Sequence, residues 1–136
     1  MKQFVDTLIK NGSVKPNTPD YMDYGYQVGW LEDMDITYCN EPLQRKNAAR
    51  ILHEFMRIEL KEADVEDVSP AKKLRDLYDC RVCAKHVMQV YTKGIMEGNY
   101  LTDTLYLFEM NRGITVQEAE TYIARVFQSK LRITVI

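Results

Sequence analysis

The chain has 136 residues, 18 Lys and Arg against 20 Asp and Glu, 46% hydrophobic and 28% charged residues, and a formal net charge of −2. That length fits one domain of about 100 to 200 residues, with enough core to fold without disulfide or metal staples. The composition excludes disordered, collagen-like and coiled-coil classes, and the near-neutral charge argues against a nucleic-acid binder, which needs a basic face.

The first element is a short N-terminal helix, because Phe4, Val5, Leu8 and Ile9 fall at helical spacing before Asn11-Gly12. Thr18-Pro19 signals the start of a second helix, ending near Gly29. A third should run from about Gln44 to Lys61 after Pro42, with Ala48, Ile51, Leu52, Phe55 and Ile58 as its inner stripe and Arg50, Glu54, Arg57 and Lys61 outside. Ser69-Pro70 opens a short helix to about Tyr78. Asp79 can cap the next, from Cys80 to about Lys93, with Cys83, Val87, Val90 and Tyr91 inward and Gly94 as a left-handed stop. The last helix is the clearest: Ala119, Tyr122, Ile123, Val126 and Phe127 share one face, and Thr115 with Glu118 forms a capping box. Only 132–136 reads as a strand, and one strand makes no sheet. The expected class is an all-α helical domain, 1–136, with antiparallel neighbours packed by these stripes.

An internal repeat organises the elements. Gly29-Trp30-Leu31-Glu32-Asp33 aligns with Gly94-Ile95-Met96-Glu97-Gly98 at an offset of about 65 residues, both at helix ends. Leu43-Gln44-Arg45-Lys46-Asn47-Ala48 then aligns with Ile114-Thr115-Val116-Gln117-Glu118-Ala119, and the two helices that follow carry matching apolar faces. The units are 19–61 and 69–128, preceded by a helix and linker, 1–18, and followed by a tail, 129–136.

This unit resembles the S-layer homology (SLH) module, with its F-s-D start, G-I-x-x-G turn and I-T-R-A-E helix start. Leu74-Arg75-Asp76 looks like the first, Gly94-Ile95-Met96-Glu97-Gly98 matches the second, and Ile114-Thr115-Val116-Gln117-Glu118-Ala119 resembles the third. The resemblance implies repeats packed around a shared core, non-catalytic, holding anionic cell-wall polysaccharide in grooves. It assigns the polymer-facing arginine to Arg45. With Lys46, Trp30, Tyr26 and Tyr24 nearby in the chain, Arg45 could form a basic and aromatic groove for an acidic sugar, since arginine bonds carboxylates in bidentate fashion. The bland alternative is a solvated helix-start arginine, with Trp30 filling the core.

Other constellations carry less. Cys80-x-x-Cys83-x-x-His86 has zinc-ligand chemistry, but on one helix these side chains diverge, so a site needs Cys39 or His53 brought close. A packed core cysteine at Cys83 is preferred to a metal or redox role. His53 and His86 read as surface or boundary histidines without a catalytic setting. Glu32, Asp33 and Asp35 lack calcium-loop spacing and read as a solvated acidic loop. Neither a nucleophile elbow nor a glycine-rich phosphate loop is present. No catalytic residue, metal or cofactor is therefore assigned.

The leading expectation is a non-catalytic binding or scaffolding module for an anionic cell-wall glycan. The alternative is a cytoplasmic protein-interaction module on the same scaffold, with a protein partner or a second copy of the chain; a small metal or thiol enzyme comes third. Three cysteines, an odd set, point to a reducing compartment. Neither an export signal nor a membrane span is legible, so a cell-surface address needs a signal or parent chain outside the sequence.

Overall fold

A computed structural model describes residues 1–12 and 16–135. The expected class holds: the fold is mostly helical, with one two-stranded hairpin. Its helices are α1 (Lys2–Asn11), α2 (Tyr21–Val28), α3 (Asp33–Thr37), α4 (Arg45–Ile58), α5 (Arg81–Thr92) and α6 (Val116–Phe127). The hairpin pairs β1 (Asn99–Tyr100) with β2 (Tyr106–Leu107), antiparallel. Among the described residues no helix is long and apolar enough to cross a membrane.

Helix α4 is the axis of the molecule. Its stripe of Ala48, Ile51, Leu52, Phe55 and Met56 is fully buried, and its main partner is α5, with α6 against another face. Phe55 is gripped edge-on by Trp30 and Phe127, at ring-centroid distances of 5.2 and 5.8 Å. Burying one large apolar side chain in this way contributes about 1.5–3 kcal/mol.

Both glycine turns fold alike. Gly29 and Gly94 take positive φ, 105° and 78°, where an L side chain is strained. The next two residues in each case, Trp30-Leu31 and Ile95-Met96, turn back into the core. Their N–H groups donate to the Gly25 and Val90 carbonyls. Gly94 has a second reason to be glycine, because a Cβ there would meet the backbone of Ile133, whose N–H donates to the Gly94 carbonyl. Downstream, the segments that enter α4 and α6 pair through an antiparallel bridge between Gln44 and Gly113.

The helix-start signals are partly realised. Asp20, two residues after Thr18, caps α2 through the Met22 and Asp23 N–H groups. The Thr115–Glu118 capping box on α6 forms as expected. Glu118 also accepts a two-pronged bond from Arg112, and that guanidinium pushes its carboxyl down to about 2. A depressed carboxyl stabilises the fold above its unfolded value and loses that contribution as pH falls through the folded value. Urea unfolding should therefore show a loss between about pH 4.5 and 2 that is smaller in Glu118→Gln; equal slopes for the two proteins would contradict this assignment.

Five expectations need correction. The 69–78 stretch forms two tight helical turns, Ser69–Lys73 and Leu77–Asp79, rather than one helix. Asp79 does not cap α5; Cys80 occupies that position without a side-chain capping hydrogen bond. Residues 132–135 form no strand, and Ile136 lies outside the described residues. Arg50, placed on the outer face of α4, is buried. It donates two hydrogen bonds to Asp35, 2.6 and 2.8 Å, so α4 is covered on that side by α3. Asp35 is correspondingly buried, and the stretch read as a solvated acidic loop is the start of a helix.

Candidate functional site

Arg45 stands at the first turn of α4 with its side chain only 3% exposed. Nε donates to the Phe108 carbonyl at 2.7 Å, Nη1 to the Tyr122 hydroxyl at 2.6 Å, and Nη2 to the Glu97 carbonyl. Its guanidinium also lies 4.5 Å above the centre of the Phe108 ring, a cation–π arrangement. The Phe108 and Glu109 N–H groups are held in turn by the Asp76 carboxylate. Arg45 and Asp76 thus clamp the β2–α6 loop from two sides. The adjoining polar cleft is lined by Glu97, Glu109 and Glu118 against Arg45 and Arg112, and three carboxylates around two committed guanidiniums do not favour a polyanion.

The other proposed groove residues lie elsewhere. Trp30 is fully buried at the far end of α4, edge-to-face against Phe55 and donating from its indole nitrogen to Glu59 at 3.0 Å. Arg45 and Trp30 are thus separated by nearly the length of α4, about 1.5 Å per residue. Lys46 is half-buried beside Arg45, its N–H donating to the Met110 carbonyl. Tyr26 is exposed on α2, where a hydrogen bond to Asp33 holds its phenol above the usual value. Tyr24 is pushed up to about 12 by burial and by Glu59. Arg45, Lys46, Trp30 and Tyr26 do not converge on one groove.

Tyr26 instead belongs to a cleft of about 510 Å³ between α1, α2 and α3, lined among others by Lys2, Asp20, Asp23, Asp33 and Ile36. The segment 20–38 that builds most of it contains five carboxylates and no lysine or arginine. Tyr26 and Ile36 line it and are open to solvent, while Met34 and Tyr38, both more than half exposed, line a separate cleft with Asp35 and Gln44. Cys39, the free cysteine, lines the same cleft.

Cys80 and Cys83 are joined by a disulfide at the start of α5, so Cys83 is half-buried and bonded rather than a packed core thiol. The two histidines are not surface groups. His53 on α4 and His86 on α5 are 4% and 6% exposed, and their Nδ1 atoms are 2.8 Å apart. Nε2 of His53 is 2.8 Å from an Asp64 oxygen, and Glu54 Oε1 lies 3.8 Å from both Nδ1 atoms. Burial, reinforced by the charge of His53, pushes His86 down to about 4. Burial raises the Glu54 carboxyl, but Arg57 and the two histidines outweigh it and leave it below its ordinary value.

No protein-family model matches the chain, and neither a curated protein nor a solved structure does.

Proposed function

We propose that this chain is a non-catalytic binding module on an all-α scaffold, and that it takes a protein partner presenting a basic segment with apolar side chains. The observation that carries this reading is the cleft between α1, α2 and α3, where Asp20, Asp23 and Asp33 outnumber a single lysine, Lys2, beside the exposed side chains of Tyr26 and Ile36. Apolar surface gathered beside one sign of charge is the usual make-up of an interaction site. Lysine or arginine from a partner would pair with Asp23 and Asp33, while its apolar residues cover Tyr26 and Ile36. An anionic cell-wall glycan is disfavoured on this face by charge, and at Arg45 by the commitment of that guanidinium to the interior. We keep the SLH resemblance as a proposal for the scaffold alone; the two alike glycine turns and the paired segments before α4 and α6 support it.

Anisotropy titrations with labelled peptides test the proposal. An Arg- and Leu-bearing peptide should bind with an affinity that falls as salt is raised, and Asp33→Asn should weaken it about tenfold, the lower end of one charge-assisted contact. An acidic peptide or polygalacturonate should not bind. Unchanged affinity in a folded Asp23→Asn, Asp33→Asn double variant would overturn the assignment.

A further inference from the structure

From the geometry of His53, Glu54 and His86 we infer a binding site for one divalent transition-metal ion of the zinc class, bridging α4 and α5. The three donor atoms, His53 Nδ1, His86 Nδ1 and Glu54 Oε1, form a triangle with sides of 2.8, 3.8 and 3.8 Å. A point in its plane equidistant from all three lies about 2.0 Å from each, matching zinc–nitrogen bonds of about 2.0–2.1 Å and zinc–oxygen bonds of about 2.0–2.2 Å. Tetrahedral angles, with water as fourth ligand, need the two ring nitrogens to part by roughly half an ångström and Glu54 Oε1 to approach them by about as much, which lifts the ion out of the donor plane.

The surroundings orient the donors as a metal requires. A carboxylate only accepts, so His53 must give its Nε2–H to Asp64, which leaves the Nδ1 lone pair free to face His86. A carboxylate behind a histidine in this way is the usual support of a metal-bound imidazole. Glu54 is held likewise: Arg57 donates to Oε2 at 2.6 Å, and Oε1 turns to the histidines. Without an ion, His86 donates its Nδ1–H to His53; binding requires that proton to move to Nε2 or to solvent. Two imidazoles and one carboxylate favour zinc, cobalt or nickel over calcium or magnesium, which prefer oxygen donors. None of these residues lines the α2–α3 cleft, so this site stands or falls apart from the proposed partner binding.

Titration of the folded protein with Co²⁺ and then Zn²⁺ tests the site. One equivalent of Co²⁺ should give the visible d–d bands of a nitrogen- and oxygen-ligated centre, displaced by Zn²⁺. Zinc should also raise the unfolding midpoint. His86→Gln should abolish binding. Because that variant alters a buried residue, Asp64→Asn provides an independent measure: Asp64 is half-exposed and is not itself a ligand, yet its loss should weaken affinity about 10–100-fold. Failure of the native protein to take up one equivalent would overturn the inference, as would unchanged affinity in Asp64→Asn. Thiolate-to-cobalt charge-transfer bands would also overturn it, by placing the ion on cysteine.

Discussion

Replacing Arg45 with alanine should cost the fold about 3–5 kcal/mol, as expected when one partner is removed from a buried charged network. The substitution leaves the buried Phe108 carbonyl without its donor and removes the donors to the Tyr122 hydroxyl, which keeps its bond to Glu118, and to the part-buried Glu97 carbonyl; each unsatisfied buried group costs about 1–3 kcal/mol. It also removes one of the two side-chain anchors of the β2–α6 loop, leaving Asp76 and the backbone bonds to the segment before α4. Lysine should not restore stability, since a single ammonium cannot reach three acceptors in the guanidinium's fork geometry. Lys46→Ala is the internal comparison: a half-buried cation with no such network should change stability by no more than about 0.5 kcal/mol. Denaturant unfolding of the three variants checks the ranking. An Arg45→Ala protein as stable as Lys46→Ala would contradict an interior role and return Arg45 to the solvent-facing, ligand-binding part that the SLH resemblance implies.

The second large effect is expected at Asp35. Its carboxylate takes both prongs of Arg50 and also accepts the Glu32 N–H at the start of α3. Asp35→Ala leaves the buried Arg50 guanidinium with only the more distant Glu32 carboxylate, 3.8 Å away, and this should cost about 3 kcal/mol, the lower end for breaking a buried pair. A five-residue helix has little stability of its own, so α3 should loosen before the rest of the fold and carry Asp33 and Ile36 out of register in the cleft. Hydrogen exchange should show protection lost first across 33–38. The joint change Asp35→Leu, Arg50→Met should recover much of the stability, because replacing a buried ion pair with apolar groups of similar size is often neutral. Loss of stability without local deprotection of α3 would mean that this pair does not fasten the helix.

These two residues also explain how far the sequence could be read. Periodicity placed α1, α4, α5 and α6 to within a few residues, because each carries a continuous apolar stripe recorded locally. It could not place α3, whose five residues hold no stripe and are ordered by Arg50, 15 residues away from Asp35. Helical spacing places Arg50 on the solvent face and the SLH resemblance turns Arg45 towards a ligand, yet the partners of Arg45 come from remote segments: Phe108 is 63 residues away and Tyr122 is 77. The histidines are a closer case. His86 is three residues after Cys83 and four before Val90, on the inner face of its own helix, and that position was a legible sign of burial. What no local pattern carried was the packing of α4 on α5 that sets His53 opposite it.

The account's central claim is that recognition belongs to the acidic face of α2 and α3, while Arg45 belongs to the interior. A residue-resolved amide shift map recorded with an Arg- and Leu-bearing peptide, then with polygalacturonate, tests this directly. The predicted result is a peptide footprint on Asp23, Tyr26, Asp33 and Ile36, with no response to the polyanion. Shifts confined to Arg45, Glu97 and Glu118 on adding polygalacturonate, with α2 and α3 silent towards the peptide, would contradict it.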